Sequence, residues 1–130
     1  MLSVSNQLKE LFGCREFSSR KKIIISSAGT SKRNNLKKFL KPGDSMYAEV
    51  LPNPSLNQLF DFFRIIRPTP EDIIFGIGGG SVIDFSKLVA LFAETPNDEI
   101  KLIIQTAQFG SLQKSLRLVV VPTLFGSGAE

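Results

Sequence analysis

A run of bulky apolar residues that ends abruptly in glycine constrains this chain more than any other feature. Ile73-Ile74-Phe75-Gly76-Ile77 is short and dry enough for a strand covered on both faces, and Gly78-Gly79-Gly80-Ser81 follows at once. From Ser81 to about Glu94 the pattern turns helical and apolar nearly all round, through Val82, Ile83, Phe85, Leu88, Val89, Ala90, Leu91 and Phe92. A buried strand, a tight turn without side chains and a deeply packed helix form one half of a crossover unit. The turn lets a phosphate approach the backbone, and the helix behind it offers free amides and the positive end of its dipole. The plain alternative is a tight strand-to-helix turn that holds nothing.

Two better-known glycine loops do not fit. A Walker loop needs Lys-Ser or Lys-Thr after its last glycine, where this chain has Ser81-Val82. The dinucleotide fingerprint Gly-x-Gly-x-x-Gly would start at Gly76 and Gly78 but would place its third glycine on Ser81, and it belongs after the first strand of a sheet. Asp98, twenty residues beyond Gly78, lies in an irregular stretch and is read as coincidence.

The rest of the chain repeats the strand-and-helix rhythm. Lys22–Ser27 reads as a buried parallel strand through Ile23-Ile24-Ile25. Gly29, Thr30 and Ser31 then supply turn and N-cap chemistry for a helix to about Lys41, with Leu36, Phe39 and Leu40 on one face, and Pro42-Gly43 stops it. Met46–Leu51 reads as a strand ended by Pro52-Asn53-Pro54, and Ser55 caps a helix from Leu56 to Arg67 whose apolar face Phe62 and Ile65 widen. Residues 95–115 give no firm pattern, although Leu102-Ile103-Ile104 is apolar, and Leu116–Val121 reads as another buried strand. The fold class is therefore α/β, a Rossmann-like three-layer parallel sheet with helices on both faces. Residues 1–130 make one domain, with residues 1–20 as a peripheral segment. In such sheets ligands collect at the carboxyl ends of the strands, which puts Gly29, Asn53, Gly78 to Ser81 and Thr123 on one rim.

Composition removes whole classes of chemistry. There is no histidine in 130 residues, which excludes an imidazole base, an imidazole metal ligand and a Ser/His/Asp relay within this polypeptide. The single cysteine, Cys14, can form neither an intrachain disulfide nor a Cys-x-x-Cys pair, and is expected to be a half-buried packing residue. No apolar stretch approaches the ~20 residues of a membrane span and the start of the chain does not read as a secretory signal, so a soluble, cytoplasmic protein is expected. Residues 1–41 carry a net charge of +8 and residues 42–130 one of −4. Lys32, Arg33, Lys37, Lys38 and Lys41 read as a solvated helix face; a nucleic-acid surface and a local phosphate contact are the alternatives, and no recognised nucleic-acid module accompanies them.

Three segments carry a family likeness. Gly78-Gly79-Gly80-Ser81-Val82-Ile83-Asp84-Phe85-Ser86-Lys87 resembles the Gly-Gly-Gly-Ser-x-x-Asp-x-Ala-Lys signature of the iron-containing (group III) alcohol dehydrogenases. Pro122-Thr123-Leu124-Phe125-Gly126-Ser127-Gly128-Ala129-Glu130 is similar to the same family's Pro-Thr-Thr-x-Gly-Thr-x-x-Glu segment, and Val50-Leu51-Pro52-Asn53-Pro54-Ser55 to its Pro-Asn-Pro-Thr element. The dehydroquinate synthase group shares the fold. The resemblance implies an NAD(P)-binding domain, followed in family members by a helical domain that holds iron or zinc through one aspartate and histidines. It implies that Gly79, Gly80 and Ser81 contact the cofactor pyrophosphate. By the same likeness Asn53, Thr123 and Ser127 line the adenosine or ribose region, and Asp84 either buttresses the loop or is a helix N-terminal carboxylate that needs no ligand. Lys87 reads as a helix-surface or packing residue.

Departures from the pattern sharpen the expectation. Leu124 removes a hydroxyl, Ser127 keeps one and Ser86 adds one. Ser26-Ser27-Ala28-Gly29 stands where many NAD-using members place an aspartate, so a 2′-phosphate is not repelled and Lys32 or Arg33 can pair with it, which predicts tolerance of, or preference for, NADP, with NAD the alternative cofactor. Without histidine the implied metal has no ligand set here. The expectation is the cofactor-binding portion of a metal-dependent alcohol dehydrogenase, truncated at its C-terminal end and inactive alone. The alternative is a stand-alone nucleotide-binding or interaction module, and in either case uncovered apolar faces predict self-association.

Overall fold

Four short strands run in one direction, and the computed structural model describes them within residues 4–14, 17, 19–107 and 116–123. In chain order the elements are α1 (Val4–Phe12), β1 (Lys22–Ile25), α2 (Ala28–Asn34), a 3-10 turn (Leu36–Phe39), β2 (Ser45–Tyr47), α3 (Leu56–Ile65), β3 (Ile73–Gly78), α4 (Gly80–Phe92), α5 (Asn97–Thr106) and β4 (Arg117–Pro122). The sheet order is β2-β1-β3-β4 and every pairing is parallel, with Ile25 opposite both Tyr47 and Gly76, and Gly78 opposite Pro122. After β1 the chain moves outward to β2 and then crosses to the other side of β1, so the strand order reverses between β1 and β3. That reversal opens a crevice at the carboxyl ends of these two strands, the place where open α/β sheets bind ligands.

Alternation along the strands divides the apolar residues into two cores. Ile23, Ile25 and Ile74 face α3, α4 and α5, where they meet Leu59, Phe62, Phe85, Val89 and Ile100. Ile24, Ile73, Phe75 and Ile77 face the other way, against Leu8 and Phe12 of α1 and Leu36 of the 3-10 turn. The expected three-layer α/β architecture is thus present. The Phe12 ring packs edge-on against Phe75 at 4.9 Å, so the first helix of the chain belongs to a core.

Several element boundaries differ from expectation. The helix after β1 is not continuous to Lys41: it ends at Asn34, Asn35 turns left-handed at φ 48°, and a 3-10 turn follows. Its N-cap is Ser27, whose hydroxyl oxygen accepts the Thr30 amide at 3.2 Å, ahead of the residues expected to start it. β2 stops at Tyr47 because the chain leaves the sheet for the loop that ends in Pro52-Asn53-Pro54. Ile65, expected to widen a buried face, is 70% exposed at the last residue of α3. The indistinct stretch after α4 holds a helix, α5, of which Ile100 and Ile103 are buried while Leu102 is 59% exposed. β4 is not a buried strand: it lies at the sheet edge and Val120 is 39% exposed. Cys14 is exposed, against the expected half-buried position. No helix among the described residues is long and apolar enough to cross a membrane.

Candidate functional site

The glycine turn divides into two pairs with different duties. At Gly76 a Cβ would lie 2.5 Å from Ser86 Oγ, and at Gly78 it would lie 2.8 Å from the Val82 side chain. These two glycines let α4 lie against β3, and Gly78 also holds φ at +157°. Ser86, which adds a hydroxyl relative to the family pattern, is fully buried and satisfies itself by donating to Val82 O at 2.8 Å. Gly79 and Gly80 are the opposite case, because a Cβ at either position meets nothing within 4 Å. That empty volume lies over the start of α4.

Gly79 is the N-cap of α4 and makes no side-chain cap, and the first intrahelical bond runs from the Ile83 amide to Gly79 O at 3.0 Å. Helix geometry therefore leaves the amides of Gly80, Ser81 and Val82 without an intrahelical acceptor. Three donors and the dipole's positive end thus stand at the start of α4 beside two residues without side chains, an arrangement suited to a phosphate group.

Neighbouring loops converge on it. Asn53, left-handed at φ 51°, donates its amide to Ser81 Oγ at 3.2 Å. The Thr123 amide donates to Gly78 O at 2.9 Å, and the residue is 6% exposed. Asn53, Gly78 to Ser81 and Thr123 are thus brought together on the rim. Asp84 is exposed on α4 and makes no hydrogen bond or ion pair among the described residues, so none of these ties it to the loop. Ser127 lies outside the described residues. Lys87 is exposed on the helix surface.

Two residues that the sequence did not single out organise this rim. Ser26 is fully buried at the end of β1, where its hydroxyl donates to Ile77 O at 2.7 Å, its amide donates to Tyr47 O at 2.9 Å and its carbonyl accepts the Val50 amide at 3.2 Å. It joins the ends of β1 and β3 and the loop after β2. Gln58, on α3, holds that same loop through its side-chain amide, as described below. Serine after a strand and glutamine inside an apolar helix face are weak signals until the topology brings their partners near.

On the β1 side of the crevice the guanidinium of Arg33 folds back over Gly29, with Nη1 3.3 Å from where a Gly29 Cβ would stand. Lys32, Lys37, Lys38 and Lys41 are exposed, as a solvated face requires. A groove of about 470 Å³ runs along the open edge of β2, with Ala28, Ser31, Met46, Lys37 and Glu49 in its lining. Among the described residues no cluster of three or more acidic, histidine or cysteine side chains can hold a metal ion. Asp44 is committed to Lys22 and Asp61 to Arg64. Among the described residues the glycine turn offers backbone amides suited to a phosphate group, and no set of side chains offers a metal-ligand cluster.

Fold and rim together define a Rossmann-like α/β domain with an anion-ready turn at its strand-order reversal. The model of the iron-containing alcohol dehydrogenase family matches residues 4–130, and the chain belongs to that family. It is similar to an aldehyde-alcohol dehydrogenase of Streptococcus pneumoniae, 29% identical over 93 residues, covering 65% of this chain and 10% of that protein. It is also similar to an NADPH-dependent butanol dehydrogenase of Clostridium saccharobutylicum, 26% identical over 131 residues, covering 95% of this chain and 32% of the relative. In fold it matches a sulfoacetaldehyde reductase from Bifidobacterium kashiwanohense solved with NAD+, at a TM-score of 0.69 and 19% identity, covering 94% of this chain and 32% of that one. The chain thus spans at most 32% of each of these relatives.

Proposed function

We propose that these residues form the cofactor-binding portion of an NAD(P)-dependent, metal-dependent alcohol dehydrogenase and do not catalyse the reaction by themselves. The observation that carries this is the open space where a Cβ at Gly79 or Gly80 would stand, at a helix start whose first three amides have no intrahelical acceptor, beside the reversal point of the sheet. The bound dinucleotide would accept or return the hydride. What this chain contributes is placement: the amides of Gly80, Ser81 and Val82 and the Ser81 hydroxyl hold the pyrophosphate, while Asn53, Thr123 and Ser127 border the adenosine side. The relatives' use of NAD+ and NADPH supports this reading of the ligand class. A chain without histidine cannot assemble the metal set of one aspartate and histidines that the family resemblance implies, hence the proposed lack of turnover.

NADP is the preferred form on this reading. No carboxylate stands at Ser26-Ser27-Ala28-Gly29, and the Arg33 guanidinium lies over Gly29 in the first turn of α2, beyond the carboxyl end of β1, where a 2′-phosphate would arrive. Calorimetric titration of the chain with NAD and NADP tests both claims. Binding of NADP at least as tight as NAD is expected; NAD tighter by about tenfold, roughly 1.4 kcal/mol, would reverse the preference, and binding of neither would remove the site.

A further inference from the structure

The loop between β2 and α3 has left the sheet, so its backbone groups need partners elsewhere. Gln58 supplies them. Its residue is 8% exposed, and its Nε2 donates to Glu49 O at 2.8 Å and to the Tyr47 hydroxyl at 3.1 Å, while its Oε1 accepts the Leu51 amide at 3.3 Å. A carbonyl only accepts and an amide only donates, so the backbone partners fix which end of the carboxamide is which. The Ser55 hydroxyl in turn accepts the Gln58 amide at 3.2 Å and anchors the first turn of α3. From the other side the Val50 amide reaches Ser26 O at 3.2 Å. Held at Glu49, Val50 and Leu51, the loop delivers the Asn53 amide to Ser81 Oγ at 3.2 Å.

This contact engages one of the two lone pairs of the Ser81 hydroxyl and fixes the oxygen beside Gly79 and Gly80, leaving its proton to be donated. A hydroxyl held in this way can donate to an anionic oxygen bound at the start of α4. The carboxamide in the core of α3 thus bears on an atom that it does not touch.

We infer that Gln58 is a positioning residue for the phosphate site: it sets the path of the β2–α3 loop so that the Asn53 amide holds the Ser81 hydroxyl oxygen in place to donate its proton to a bound pyrophosphate. The inference rests on the dinucleotide reading of the site given above. For inorganic pyrophosphate, which has no adenosine for Asn53 to border, loss of the contact is expected to be felt through Ser81 alone, which a purely structural role for Gln58 does not predict.

A double-mutant cycle on the full chain tests it, with NADP and inorganic pyrophosphate as probes. Gln58→Met is expected to weaken both ligands about fivefold, the equivalent of one hydrogen bond, and Ser81→Ala by a similar factor. In the Ser81→Ala background Gln58→Met should then cost less than about twofold for inorganic pyrophosphate, the probe that decides the cycle. Amide exchange at Asn53 in the free chain should accelerate in both single variants. Should Gln58→Met fail to fold, Gln58→Glu enters the same cycle: it keeps the acceptor for Leu51 and loses the donor to Glu49. Wild-type binding combined with additive losses, with no loss in a folded Gln58 variant, or with unchanged Asn53 exchange overturns the inference and leaves the dinucleotide reading standing. Failure of the wild-type chain to bind either probe overturns that reading and the positioning role with it.

Discussion

The two ends of this parallel sheet are built from opposite materials. Where the strands begin, charged side chains close the structure on itself. Asp44 accepts the Lys22 ammonium at 2.5 Å, the Lys22 amide at 2.9 Å and the Lys41 amide at 2.8 Å, and the Lys22 and Asp44 side chains are both 3% exposed. Asp72 likewise takes the Thr69 amide at 2.9 Å and lies 3.7 Å from the Lys21 ammonium. Where the strands end, the polar groups are backbone amides beside glycine, with a small hydroxyl among them. Charges paired inside the protein are spent on folding, whereas amides at an exposed helix start stay available to a ligand. Stability should therefore concentrate at one end and binding at the other.

The sharpest way to break that division is Asp44→Ala. It strands the buried Lys22 ammonium and is expected to cost about 3–5 kcal/mol in urea unfolding, while NADP affinity of the folded fraction stays within about twofold. A large loss of affinity in folded protein would show that the two ends are coupled. The same pair has a pH signature. Burial pushes the Asp44 carboxyl up, but the hydrogen bonds from the Lys22 side chain, the Lys22 amide and the Lys41 amide, with the ammonium's attraction, outweigh it and hold it below the ordinary value. A carboxyl depressed on folding stabilises above its unfolded pKa, near 3.9, and that stabilisation is lost as pH falls through the folded value. Acid unfolding below about pH 4 should thus lose steepness in Asp44→Asn, as followed by circular dichroism.

Within the glycine turn the comparison can be sharpened further. Gly76→Ala drives a methyl into Ser86 and is expected to cost about 1–3 kcal/mol by thermal or urea unfolding. Gly80→Ala enters open space in the first turn of α4 and should change stability by no more than about 0.5 kcal/mol. It should nonetheless weaken NADP by about tenfold, because the added methyl occupies the ligand's volume. Equal effects of the two substitutions on binding would remove the distinction between packing and cradle glycines. The smallest effect is expected at the β4 edge, where Val120→Lys should leave stability within about 0.5 kcal/mol and reduce self-association in sedimentation experiments.

Much of the fold was legible because it rests on local signals. Ile23-Ile24-Ile25 and Ile73-Ile74-Phe75 read as buried strands and are fully buried in β1 and β3, and Ser55 caps the helix it is expected to cap, its oxygen accepting the Gln58 amide. The β4 strand misled for a physical reason. Its apolar run Leu118-Val119-Val120-Val121 has the composition of an interior strand, but exposure depends on whether another element covers its edge. The helix after β1 was misread because Asn35 takes a left-handed conformation inside an otherwise continuous helical pattern. At the site, Gly79, Gly80 and Ser81 were readable as a turn for an anion, and Asn53 and Thr123 as its neighbours on the rim. Ser26 and Gln58 were not, since a polar side chain announces its role only when its partners are known.

The amino-acid sequence by itself determined the alternation of strand and helix, the glycine turn and the absence of an imidazole, because periodicity, missing Cβ atoms and residue identity are properties of the chain alone. Tertiary structure alone decided which glycines pack and which stay open, which hydroxyls are already engaged, and which end of the sheet buries its charges. Those depend on distances between residues far apart in the chain, and only the parallel pairing of β1 with β3 and the return of the β2–α3 loop bring them within hydrogen-bonding reach.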